Sequence, residues 1–172
     1  MLPLTVPALL QAAATDSADV EAIVAGDVRL TFAQLQEQAT GFARAALADG
    51  VAPGDRVAIW APNTERWVIA ALGALSVGAV LVPVNTRFKG EEAQHVLGST
   101  GASVLVVDDT FLDAGRIAML DGTGELPDLR TVVRTDTDDW QSFLDRPHSA
   151  LRSPWRLRVR AALRAPYWAV AL

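Results

Sequence analysis

The sequence predicts an α/β fold, built from βαβ units whose parallel sheet is flanked by helices. Three observations carry this. Short apolar runs at Arg56–Trp60, Val80–Val84 and Ser103–Val107 alternate with helical segments. Each run is apolar throughout rather than alternating, as strands covered on both faces are. The segments between them are long enough to cross over, so the strands should be parallel with right-handed connections.

Taken in order, Thr5–Ala14 makes a first short helix with Val6, Leu9 and Leu10 on one side. Ala22–Ala25 and Val28–Leu30 flank Gly26-Asp27, a two-residue hairpin loop. Thr31 and Gln34 have the spacing of a capping box, in which each side chain satisfies the other's backbone amide. Behind them Phe32, Leu35, Ala39, Phe42 and Ala46 form one apolar stripe of a helix reaching Ala48, which Gly50 stops. Pro53-Gly54-Asp55 turns the chain into Arg56–Trp60, Pro62 closes that strand, and Thr64 caps the next helix. From Trp67 to Val77 this helix is apolar on nearly every side and needs cover on several. Gly78 ends it before Val80–Val84. The uncharged stretch Trp67–Val84 also has the length of a membrane-crossing helix. Gly73, Gly78, Pro83 and the β-branched residues of its last third favour helix, turn and strand instead. Glu91–Leu97 reads as a helix ended by Gly101, Phe111–Leu120 as a further helix, and Gly122–Asp128 as a loop. Thr131–Arg134 is a short strand, and Asp139–Leu144 one or two helical turns.

At 51% hydrophobic over 172 residues the chain has ample material for a core. It has no cysteine, which excludes disulfides, thiolate-bound metals and a thiol nucleophile. The start, Met-Leu-Pro-Leu-Thr-Val-Pro, lacks the basic opening and long apolar run of a secretory signal, so a cytoplasmic protein is expected. The net charge of −5 is uneven: residues 1–149 carry −10, and five arginines with no acid give the last 23 residues +5. The charge break divides the chain into residues 1–148 and a basic tail, 149–172, irregular or helical. Between Pro154 and Pro166 that tail could lie on a membrane surface or a partner as a basic amphipathic helix. No nucleic-acid partner is expected.

Few catalytic constellations are present. Gly122-x-Gly124 lacks the third glycine of a dinucleotide fingerprint, and there is neither a Walker-type loop nor a Gly-x-Ser-x-Gly elbow. Asp108-Asp109 sits at a strand's carboxyl end, where ligands of open α/β sheets gather, and is a candidate metal pair; a solvated turn is the more ordinary reading. His95 reads as a partly buried packing residue. Arg87 and Lys89 follow the second parallel strand, placed to meet an anion.

Leu30-Thr31-Phe32-Ala33-Gln34-Leu35 resembles the first core motif of the adenylate-forming superfamily, which includes acyl-CoA synthetases, aryl-CoA ligases and luciferases. The stretch from Gly50 to Asn63 is similar to the family segment that comes after that motif, and Leu75–Asn85 resembles the second core motif. The resemblance covers roughly residues 5–135, and the wording of Asn85–Ala93 is nearest to fatty-acid-type CoA ligases. It implies the fold of the N-terminal subdomain of acyl-CoA synthetases. It also implies a two-step parent reaction: a carboxylic acid attacks the α-phosphate of ATP, with magnesium, and the CoA thiol then displaces AMP. The family's phosphate loop, magnesium-binding Glu, ribose-holding Asp and catalytic Lys all lie downstream of these motifs. The expectation is therefore an incomplete domain, catalytically inactive alone, with no catalytic or metal residue of its own. In some CoA ligases of the family the turn after the second core motif approaches the CoA nucleotide, and an arginine beyond the next strand meets its phosphate. By position those are Asn85, Thr86, Arg87 and Arg116. The tail has the composition of an out-of-frame reading of GC-rich DNA, which predicts a frame change near residues 145–153. The competing expectations are a non-catalytic CoA- or acyl-binding module and a small membrane- or partner-docking protein.

Overall fold

The computed structural model describes residues 5–146. The basic tail, 149–172, and the expectations placed on it lie outside the described residues.

Helix α1 (Val6–Asp16) leads to a hairpin of β1 (Glu21–Ala25) and β2 (Val28–Thr31), in which Ala25 faces Val28 across the Gly26-Asp27 loop. Helix α2 (Phe32–Ala48) opens on the expected capping box: Thr31 Oγ1 accepts from the Gln34 amide at 3.3 Å, and Gln34 Oε1 accepts from the Thr31 amide at 2.9 Å. Strand β3 (Arg56–Trp60), helix α3 (Glu65–Ser76) and strand β4 (Val80–Pro83) follow as strand, helix and strand. The membrane-helix alternative thus resolves into a twelve-residue helix, a turn at Gly78 with φ 80° and a strand. Among the described residues no helix is long and apolar enough to cross a membrane. Helix α4 (Gly90–Thr100), strand β5 (Ala102–Val107), helix α5 (Arg116–Leu120), strand β6 (Thr131–Arg134) and helix α6 (Asp139–Leu144) complete the order.

The four later strands form one parallel sheet in the order β4-β3-β5-β6. Successive side chains of a strand point to opposite faces, and both faces here are apolar. Val57, Ile59, Val104 and Val106 pack beneath α1, α2, α3 and α6. Ala58, Trp60, Leu105 and Val107 pack with Ala93 and Leu97 of α4 and with Ile117, Met119 and Leu120 of α5. Helix α3 finds its cover from the sheet on one side and α2 on another. Gly73 allows that approach, since a Cβ there would lie 2.7 Å from Phe42 and 2.8 Å from the Ala39 carbonyl. Phe42 also anchors α6 through Trp140 and Phe143, with ring centroids 5.7 and 5.2 Å away.

The chain departs from expectation after β5. Instead of one helix over Phe111–Leu120 there is a single 3₁₀ turn, Phe111–Asp113, and then the separate α5. Leu112 and Asp113 stand at φ 62° and 49°, a left-handed conformation that costs a non-glycine residue of order 1 kcal/mol and breaks the helix. Local carboxylates hold this path: Asp108 accepts the Thr110 and Phe111 amides, and Asp109 accepts the Ile117 amide at the new helix start.

Candidate functional site

The carboxyl ends of the parallel strands converge on one cluster, and Arg116 lies at its centre. Its side chain is fully buried. One terminal nitrogen, Nη1, donates to the carbonyls of Asp108 at 2.8 Å and Phe111 at 2.7 Å; Nη2 donates to the Thr86 carbonyl at 3.1 Å. The guanidinium lies over the rings of Trp60 and Phe111, 5.5 and 5.4 Å from their centroids. Its Nε has no hydrogen-bond partner among the described residues. Burial lowers the Arg116 pKa, because it disfavours the charged form; Asp108, Asp109 and Asp136 oppose that shift through their charge.

The turn after β4 closes over this arginine. The Asn85 carbonyl accepts from Trp60 Nε1 at 3.0 Å and from the Phe88 amide at 3.0 Å, while Asn85 Oδ1 accepts the Arg87 amide at 2.9 Å. Asn85, Arg87 and Lys89 are exposed, whereas Thr86 and Phe88 are half-buried. The turn passes straight into α4, where Glu92 Oε2 accepts the Lys89 amide at 2.9 Å.

Of the four residues singled out as CoA contacts, Thr86 and Arg116 are thus joined by a hydrogen bond, and Asn85 and Arg87 share the exposed rim above them. Arg116 faces inward with both terminal nitrogens engaged. The role of Trp60 was not visible in the sequence; its place as the last residue of a buried strand was the only available signal.

Two further readings change. Asp108 and Asp109 are half-buried and bonded to backbone amides, not a solvated turn. Asp136 adds a bond from its Oδ1 to the Asp109 amide at 3.2 Å, tying the end of β6 into the same network. His95 is exposed rather than packed, and lines a groove of about 390 Å³ with Phe88, Glu91, Glu92 and Val96.

The donor set suits an anion better than a cation. Two exposed cationic side chains, Arg87 and Lys89, lie on the turn, where they can meet an anion. Among the described residues no group of three or more His, Asp or Glu could hold a metal ion.

Comparison with known proteins supports the fold and places the chain in a family. A CoA ligase of Rhodococcus jostii, named for a 7a-methyl-1,5-dioxo-octahydroindenyl propanoyl group, is 46% identical over 136 residues, 79% of this chain and 26% of its own. The Mycobacterium tuberculosis ligase of the same name is 43% identical over 166 residues, 94% of this chain and 32% of its own. The chain therefore spans about a quarter to a third of the length of these curated relatives. The N-terminal domain of FACL13 from Mycobacterium tuberculosis superposes with a TM-score of 0.74 at 29% identity, covering 83% of this chain and 38% of that one. The family model described as AMP-binding enzyme matches residues 10–166, past the boundary drawn on charge at residue 148. With that match over most of its length, the chain belongs to the AMP-binding enzyme family.

Proposed function

We propose that this chain is the amino-terminal part of an AMP-forming acyl-CoA ligase and contributes CoA contacts through the turn Asn85-Thr86-Arg87, with Arg116 beneath it. The whole enzyme would convert ATP, a carboxylic acid and CoA into acyl-CoA, AMP and pyrophosphate in the cytoplasm. The carrying observation is the exposed Arg87 and Lys89 on a turn fixed at the carboxyl ends of the strands, where open α/β sheets receive ligands. An isothermal titration of the chain with CoA tests this. Saturable heat that falls when Arg87→Ala is introduced supports the reading, and no heat at millimolar CoA overturns it.

The groups that drive phosphoryl chemistry are not among these 172 residues, which hold a single lysine, Lys89, and no phosphate loop. Carboxylate-dependent ATP–pyrophosphate exchange by this chain alone is expected at background level; clear exchange would refute inactivity. For the whole enzyme, the bicyclic propanoic acid in the name of the 46%-identical relative is the first acid to test, ahead of straight-chain fatty acids.

Two readings compete for residues 149–172. Their charge favours an out-of-frame tail, while the family match to residue 166 favours continuous family sequence. Translating all three frames of the coding DNA decides between them: a phosphate-loop sequence in a neighbouring frame supports the first.

A further inference from the structure

We propose that Trp60 and Arg116 are positioning residues for the Asn85–Lys89 turn. They hold two consecutive carbonyls of the turn from below, and so set which of its side chains a ligand meets. The inference rests on the turn's proposed role in CoA binding.

Arg116 is fully buried, and both terminal nitrogens are engaged with carbonyls, so it reaches no ligand in this arrangement. No salt bridge to a carboxylate is found for it among the described residues; its charge is met by carbonyl dipoles, two aromatic faces and the field of nearby acids. A buried cation held in this way is a weak source of stability, because taking the charge out of water offsets most of what its bonds return. Geometry is what the arrangement supplies. A planar guanidinium with fixed donor directions bonds the loop after β5, at Asp108 and Phe111, and the loop after β4, at Thr86.

Trp60 supplies the second fixed point. It ends β3, the strand between β4 and β5, and its indole N–H donates to the Asn85 carbonyl. Its ring is also the floor on which the Arg116 guanidinium rests. The carbonyls of Asn85 and Thr86 are thereby both held by buried side chains, and half-buried Phe88 packs against the same cluster. Asn85, Arg87 and Lys89 are left as the exposed positions. They alternate with Thr86 and Phe88, the half-buried positions, and the two donors below fix the backbone at the start of this run.

The test measures amide hydrogen exchange residue by residue, and CoA affinity, in the full chain and its Trp60→Phe and Arg116→Lys variants. Trp60→Phe keeps an aromatic ring and removes the indole donor, so it tests the inference even if Arg116→Lys proves poorly folded. Exchange at the Arg87 and Phe88 amides, which depend on Asn85, is expected to rise about tenfold while β5 exchanges as before. The dissociation constant for CoA is expected to rise by a similar factor. An Arg56→Lys control at the opposite end of the sheet should change neither. Unchanged exchange at Arg87 and Phe88 in Trp60→Phe, or loosened exchange with CoA affinity intact, would overturn the inference. Absence of CoA binding by the unaltered chain would remove the function proposed for the turn; the exchange arm would still decide whether Trp60 and Arg116 hold it.

Discussion

The two ends of the parallel sheet each carry an arginine bonded to three carbonyls, and the two differ in every other respect. At the amino end, Arg56 donates to Thr100 at 2.6 Å, Gly101 at 2.7 Å and Gly54 at 3.1 Å. It is only half-buried, with Asp55, Asp128 and Arg130 around the same hollow. Its remaining surface is open to solvent. At the carboxyl end, Arg116 makes as many bonds with no exposure, and its Nε finds no partner among the described residues. The first arginine clips a turn at low cost. The second gives up hydration to join two loops, which is hard to account for by stability alone.

Mutations should separate the two ends, with the largest loss at the carboxyl one. Arg116→Ala removes three hydrogen bonds donated by a fully buried side chain and leaves a void between two rings; urea unfolding should show a loss of about 3–5 kcal/mol. Arg56→Ala removes a half-buried side chain whose place water can take, and should cost about 1–2 kcal/mol by the same measurement. Equal losses would abolish the contrast. Asp109→Ala removes the acceptor for the Ile117 amide at the start of α5, with an expected loss of about 1 kcal/mol. Arg130→Ala removes an ion pair to Asp55 at 3.1 Å in which the arginine side chain is half exposed; a change within about 0.5 kcal/mol is expected. Stability should not respond to pH through Arg116 in the ordinary range. Its folded pKa is lowered, so its charging opposes folding fully below that value, and the penalty would fade only as pH rises through it.

Much of the fold was legible because its signals are local. The capping box at Thr31 and Gln34, the Thr64 cap and the runs of β3, β4 and β5 each declare themselves within a few residues. The break after Phe111 did not, since it begins at Leu112, a residue type that does not announce a left-handed turn. What forces it is Asp108 and Asp109 turned onto backbone amides, a choice set by tertiary position. The site was legible only as a place. Arg87 and Lys89 could be put beyond a strand end from sequence, and Arg116 beyond the next one. Nothing local distinguishes a buried arginine from a surface one, and the partnership of Trp60 with Asn85 spans 25 residues.

Strand β4 has one more property, carried by Pro83. The Val84 amide bonds inward to Ile59, so the neighbouring position would direct its amide outward, and there proline has no hydrogen to offer. Among the described residues β4 is an outer strand, and its outward side therefore lacks a donor where an added strand would need one. The margin of β6 has no such gap, and Val132 is exposed on that strand. Among the described residues, β6 is therefore the outer strand better able to accept an added strand. A Val132→Lys variant should raise the concentration at which light scattering appears, and no change would place the sticky edge elsewhere.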